Sequence, residues 1–451
     1  MVTDLTKGKP FSVILKFCLP LMAGQVFQQL YNMVDSIIVG RFAGTADLSA
    51  VGSTGALSFM VIGFVMGLCT GFSIPVSQAF GEQSYDKMRR YFVNSVYLTV
   101  VISAVLTTVT LVFVKRILVV MNTPESILGK ANDYISIIFG GIAATMFYNL
   151  FSCVMRALGD SKTPLCLLIF SSVVNVALDL LFVIKFGMGV KGVGIATVIA
   201  QGISAVLAGF VIVKKYRILK PLKGEWAPSG KMCLRLIYVG APMALQISVT
   251  AIGSIMLQSA VNRLGEDVIA AVTVGGKVQL MLILPSETIG ITMATYSGQN
   301  LGARRIDRIK AGIRASIIMA FVYSVFSFCV GHFLGRQAAL LFVPSTQTNV
   351  INCVCLFLRT CSWFYPFLSL LFIFRNTIQG LGYSVPAMLT GTFELAARAV
   401  MGYVIIPRYG YTAVCFANPS AWLSAMLFLV PAYLIVYSIV KKKIEKGTVK
   451  I

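Results

Sequence analysis

The sequence predicts an all-α polytopic membrane protein, with twelve transmembrane helices in two pseudo-symmetric six-helix lobes. Three observations predict it. Of the 451 residues, 57% are hydrophobic and only 12% charged, where soluble domains carry about 45–50% and about 25%. Apolar runs of about 20 residues, long enough to cross a bilayer, recur about twelve times along the chain. The two halves of the chain also repeat each other at a nearly constant offset.

The apolar runs place spans at 14–39, 49–80, 91–114, 133–156, 164–186 and 191–213, then at 236–262, 269–300, 312–334, 351–378, 383–406 and 412–440. They read as helices because backbone inside lipid must satisfy its own hydrogen bonds. The alternating ten-residue pattern of a membrane β-barrel is missing. Spans 2 and 8 are longer than a crossing needs, which points to tilt or extension beyond the bilayer. Residues 214–235 are polar and basic and include Pro221, Gly224, Pro228 and Gly230, so they read as a linker. The expected organisation is an N-terminal lobe over 1–213, a cytoplasmic linker over 214–235, a C-terminal lobe over 236–440 and a basic cytoplasmic tail over 441–451.

The repeat is read residue by residue. Gln78 and Gly81 match Gln299 and Gly302 at a separation of 221 positions (299 − 78 and 302 − 81). Gln25 and Gln246 share that separation, as do Ala50-Val51 and Ala271-Val272; Leu158-Gly159 with Pro164 echoes Leu381-Gly382 with Pro386. A separation held over some fifty residues marks an internal repeat. Six spans per half is an even number, so the halves have the same orientation, the arrangement of parallel-repeat secondary transporters.

The formal charge of +22 would suggest nucleic acid in a soluble protein. Here the basic clusters are short and flank apolar spans, so they set orientation and no nucleic-acid partner is expected. With the N-terminus inside, roughly 26 Lys and Arg fall in the cytoplasm, about 9 outside and about 3 within spans. Both termini are therefore expected in the cytoplasm, and membrane lipids are the surrounding partner. No cleavable signal is expected, because the first apolar run lacks a small-residue cleavage site. The ten cysteines show no zinc or disulfide spacing. His332 is the only histidine and receives no role, and no metal site or cofactor beyond a coupling ion is expected.

Polar groups inside spans are costly and mark functional candidates. Gln25, Gln28, Asn32, Asp35 and Ser36 recur at three- and four-residue spacing, on one face of span 1. Ser171, Asn175 and Asp179 do the same in span 5. Two carboxylates, an amide and a hydroxyl from facing helices form an oxygen cage for Na⁺, or share a proton between acids that do not both ionise cheaply. Gln25, Gln28, Asn32, Gln246 and Glu287 are candidates for lining a substrate cavity. Glu394 and Arg398, four apart in span 11, read as a structural ion pair. Arg359 and Arg375 read as ends of span 10 facing headgroups or water. Pro20 shares a helix with Asp35 and removes a hydrogen bond there, which permits bending.

These residues resemble the multidrug and toxic compound extrusion (MATE) family over nearly the whole chain. The resemblance is carried by Leu19-Pro20, Tyr31-Asn32-Met33-Val34-Asp35 and Gly40-Arg41. It continues in Ala50-Val51-Gly52, Gln78 to Gly81 with Gln299 to Gly302, and Arg156-Ala157-Leu158-Gly159-Asp160 with Pro164. It implies an alternating-access antiporter that exports amphipathic, often cationic, drugs or toxic metabolites in exchange for H⁺ or Na⁺ across a bacterial inner membrane. It assigns the coupling site to Asp35, Asn175, Asp179 and Thr197. Helices 7 and 10 carry no carboxylate, unlike some members, so the pattern leans to coupling in the N-terminal lobe, as in the DinF-like branch, where helix 1 bends at a proline. The alternative is a lipid-linked oligosaccharide flippase of the same superfamily. An enzyme is not expected, since neither a metal-ligand cluster nor a nucleophile–base pair is present, and no obligate protein partner is inferred.

Overall fold

The computed structural model describes residues 3–121 and 123–446. Among them the helices are α1 (Pro10–Ile38), α2 (Thr45–Gly81), α3 (Tyr85–Val120), α4 (Glu125–Gly140 and Ile142–Ala157), α5 (Lys162–Asp179) and α6 (Gly189–Lys215). The second half supplies α7 (Gly230–Val261), α8 (Glu266–Gly302), α9 (Ile306–Phe333), α10 (Thr348–Ser362 and Tyr365–Gly380), α11 (Ser384–Val400) and α12 (Ile406–Glu445). A short helix, Gly335–Leu340, joins α9 to α10. Nine stretches are long and apolar enough to cross a membrane, and two bent pairs, at 46° in α4 and 53° in α10, bring the number to eleven. One of the nine, Ser384–Glu445, has 62 residues. At about 1.5 Å per residue it is about three bilayer cores long. It breaks at Gly410, whose φ of 61° and ψ of −139° leave the helix, so it makes two passes and completes twelve.

The repeat expected from the sequence extends to backbone conformation. α2 and α8 both have 37 residues and begin and end 221 positions apart. Gly44 before α2 has φ 96° and Gly265 before α8 has φ 95°, values that favour glycine. Gln83 and Arg304 are the two non-glycine residues with positive φ among those described, and they too are 221 apart. The α4 break at Gly141 matches the α10 break at Phe364, and Gly189, with φ 54°, matches Gly410, with φ 61°, again 221 positions apart. A π-helical turn follows α5 at Leu180–Lys185 and α11 at Met401–Ile405.

Local chemistry explains the breaks. At Gly141 an added Cβ would stand 2.4 Å from a methyl of Val198 on α6, so a side chain there would push the helices apart. In α10, Pro366 opens the second half and lacks the N–H that would continue the first. Pro20, by contrast, lies inside α1, which runs unbroken from Pro10 to Ile38.

The chain groups into two compact units. Of the described residues, one unit comprises Leu19–Ala244 with residues 3–4, and the other comprises Leu5–Cys18 and residues 245–446. The division between these units falls inside α7. In the first unit, Gly67 and Gly71 of α2 meet Ala244 and Gly240 of α7; a Cβ on Gly71 would lie 2.3 Å from the Gly240 Cα. Such small-residue contacts let membrane helices approach closely where no hydrophobic effect drives them together. Phe72, Phe139, Met146 and Leu150 fill this unit's core, all with no exposure. The second unit has a smaller cluster around Val261, Ile406 and Val414. Its N-terminal strap is held by Arg308, which donates to the carbonyls of Gly8, Leu5 and Lys7 at 2.8–3.2 Å, while the Gln299 side chain accepts from the Leu5 N–H at 2.9 Å. Large apolar side chains such as Val206 and Leu427 stand 75% and 80% exposed, as helices facing lipid require. Residues 447–451 of the expected tail lie outside the described residues, and 441–445 continue α12 as helix.

Arg375 corrects the sequence reading. It does not end a helix at the headgroups: it sits within the second half of α10, 14% exposed, and donates to Glu394 at 3.2 Å. Arg359, near the end of the first half, donates its Nε to the His332 carbonyl at 3.2 Å.

Candidate functional site

α1, α5 and α6 bring four predicted residues together inside the first unit. The Asp35 carboxyl lies within hydrogen-bonding reach of Asp179 and of the Tyr31 hydroxyl, and that hydroxyl also reaches Thr197. Asn175 donates its Nδ2 to Thr197 Oγ1 at 3.5 Å, and Thr197 donates to the Val193 carbonyl at 2.9 Å. Asp179 is fully buried and Asn175 is 1% exposed; Asp35, Tyr31 and Thr197 are half-buried. One turn below, Ser171 donates to the Ala200 carbonyl at 3.4 Å.

The sequence builds this geometry in steps. The 171–175–179 spacing puts serine, amide and acid on one face of α5, and Tyr31 and Asp35 do the same on α1. Both helices widen into π turns just beyond their acids, at Val39–Ala43 and Leu180–Lys185, a deformation common at functional sites. Ile38, Val39, Val183 and Val193 close one end of the site as a buried apolar cluster, with Tyr134 of α4 packed against it. Two carboxylates are thereby held together in a low-dielectric setting with one amide and two hydroxyls. Such a set binds a small hard cation through oxygen or keeps a proton between the acids.

Tyr31 is not among the residues that the sequence singles out for the site. Its signal was its place on the Asp35 face, four residues back, masked by an aromatic ring that reads as core. A second unread residue is Asp160, between α4 and α5. Its carboxylate accepts from the N–H groups of Lys162 and Thr163, the Thr163 hydroxyl, Lys215 Nζ and the Tyr216 hydroxyl, at 2.7–3.0 Å. Burial alone would raise this carboxyl, but the hydrogen bonds from Lys215, Thr163 and Tyr216 outweigh it and hold it well below the usual carboxylate range.

The other predicted residues lie apart from the acid pair. Gln28 donates to Asn32 at 3.3 Å and Ser36 to the Asn32 carbonyl at 2.9 Å, on an exposed stretch of α1; Gln25 is half-buried. Gln246 is 5% exposed inside the second unit and accepts from Gln379 at 2.8 Å. Glu287 is half-buried on α8. Glu394 and Arg398 pair at 3.4 Å on α11, and Arg375 joins them.

A twelve-pass helical chain made of two like halves, with buried acids on facing helices, is built as a transporter. The comparisons agree. The family model MatE matches residues 20–181 and again 242–404, once per half. The chain is 28% identical over 420 residues to the probable multidrug resistance protein YpnP of Bacillus subtilis (strain 168), covering 93% of this chain and 91% of that one. It is 23% identical to the probable multidrug resistance protein NorM of Thermotoga maritima, covering 88% and 86%. A crystal structure of MATE in complex with MaL6 superposes with a TM-score of 0.90 at 20% identity, covering 97% of this chain and 99% of that one. The chain belongs to the MatE family of multi-pass membrane transporters, as the sequence resemblance implied.

Proposed function

We propose that this chain is an antiporter that exports amphipathic, often cationic, organic compounds in exchange for inward H⁺ or Na⁺, with Asp35, Asn175, Asp179 and Thr197 as its coupling site. The observation that carries the reading is the meeting of Asp35 and Asp179 within hydrogen-bonding reach. Two unit charges about 3 Å apart repel by about 5 kcal/mol at an effective dielectric of about 20. A proton or a cation placed between them relieves that repulsion, and its loss restores it. Ion binding therefore favours whichever packing of α1 and α5 keeps the acids together, and release favours their separation. Coupling to transport follows because a ligand shifts a conformational equilibrium only by its difference in affinity for the two states. Pro20 provides a place on α1 where such a change is cheap, since its residue lacks an N–H to lose.

No covalent step is needed. Substrate exchange follows from alternating exposure of the ion and the compound, in a cytoplasmic membrane with both termini inside. Relatives named as multidrug resistance proteins support the class of cargo. The test is efflux from proteoliposomes under a pH gradient or a Na⁺ gradient imposed separately, for wild type and Asp35→Asn. Efflux driven by one gradient and lost in the variant is the expected result and names the ion. A protein that moves no cationic compound under either gradient, yet binds lipid-linked sugars, would reverse the reading toward a flippase.

A further inference from the structure

The second unit holds a separate set of charges that the coupling site does not use. Glu394 of α11 accepts from Arg375 Nη1 at 3.2 Å, and its other oxygen lies 3.4 Å from Nη1 of Arg398. The side chains of Glu394 and Arg398 are 5% and 7% exposed. Glu287 of α8 interacts electrostatically with Arg375. Gly253 of α7 makes room for Arg398: an added Cβ would stand 3.2 Å from its Cδ and 3.4 Å from its Nη1.

Two features separate this cluster from a helix-to-helix staple. First, its donors are in excess. Glu394 is shared between two guanidiniums, and on Arg398, which carries five N–H donors, the buried Nε has no hydrogen-bond partner among the described residues while Nη1 has only the 3.4 Å ion pair with Glu394. An unsatisfied buried donor is costly, and this one belongs to a residue that is always charged. Second, the fold does not need the charges. The matching positions of the first half are Met66, Ser152, Val173 and Ala177, and the same helices form there without them. Glu287 and Arg375 are each partly exposed, the Arg375 side chain to 14%.

We propose that this cluster is a recognition site for the carboxylate of a transported zwitterion, with Arg398 and Arg375 receiving the carboxylate and Glu287 the ammonium group. A carboxylate presented to Arg398 gives its unpartnered Nε a charge-assisted hydrogen bond. The inference rests on the exporter reading for its biological meaning, but equilibrium binding tests it separately.

The experiment compares norfloxacin with its methyl ester, which differ only in the carboxylate, by equilibrium binding to the purified full chain. Wild type is expected to prefer the acid by about tenfold or more, the worth of one charge-assisted hydrogen bond. Arg398→Gln is expected to abolish that preference, and Arg398→Lys to restore part of it. Equal binding of acid and ester by wild type would overturn the proposal and leave water as the partner of Arg398. So would a preference that survives in Arg398→Gln. Should Arg398→Gln fail to fold, Glu287→Gln and the wild-type ratio carry the test: an unchanged preference for the zwitterion over N-acetylnorfloxacin in Glu287→Gln sinks the ammonium assignment. Failure of the exporter reading is distinguishable, because it shows as no efflux of either compound whatever the binding ratio.

Discussion

Asp179→Asn separates a coupling role from a structural one by the sign of its effects. The substitution is isosteric, and the new amide can donate to Asp35 where two carboxylates repelled. The repulsion relieved is about 5 kcal/mol before reorganisation, at about 3 Å and an effective dielectric of about 20. With half of that returned by relaxation, about 2.5 kcal/mol remains, on the order of 70-fold in cation affinity. Thermal stability of the purified variant is expected to hold or rise, since a buried like-charge pair has been removed. Gradient-driven efflux from proteoliposomes is expected to fall by more than tenfold. The measurement is dye efflux under an imposed pH or Na⁺ gradient, alongside thermal unfolding in the same detergent. A variant that unfolds more easily while retaining gradient-driven efflux would refute the argument, because it would make Asp179 a packing residue.

Three further outcomes are expected. Gly71→Ala places a Cβ 2.3 Å from the Gly240 Cα; the obstacle is backbone, so α2 and α7 must part, at a cost of about 2–3 kcal/mol readable as a lower unfolding temperature, whereas Gly129→Ala, with open space around it, should be tolerated. Asp160→Asn removes the charge that Lys215 and Tyr216 share, costing on the order of 2–3 kcal/mol. Because the folded carboxyl is held below its unfolded value, wild type keeps this stability above about pH 4 and loses it as the pH falls further, while the variant is flat over that window; a pH series of unfolding temperatures checks it. Glu394→Gln leaves two buried guanidiniums without their shared anion and should cost about 3–5 kcal/mol, while Glu394→Asp should recover part of the loss in the same unfolding assay.

The sequence made the membrane helices and the repeat legible because both depend on local patterns: apolar length, glycine and proline positions, and a separation of 221. It made Asp35, Asn175 and Asp179 legible because each stands at helical spacing among apolar neighbours. Residues whose meaning depends on distant partners were harder to read. Asp160 is organised by Lys215 and Tyr216, more than fifty positions away. Arg375 looked like a helix end because the 53° bend in α10 has no period of its own, only Pro366 and a pair of aromatics.

The matched π turns have an evolutionary consequence. A π turn is in effect one residue inserted into an α-helix, and it rotates everything after it. Leu180–Lys185 and Met401–Ile405 begin 221 positions apart, so the insertion is most economically placed in a single ancestral half, before duplication. The residues just inside these turns have since diverged: Asp179 corresponds in the repeat to Val400, Asn175 to Ala396, and Asp35 to Met256. The bend is therefore older than the acids that now use it in one half, or has outlived them in the other. Restoring Asp at 256 and 400 with Asn at 396 would ask whether an inherited shape is enough to rebuild an ion site.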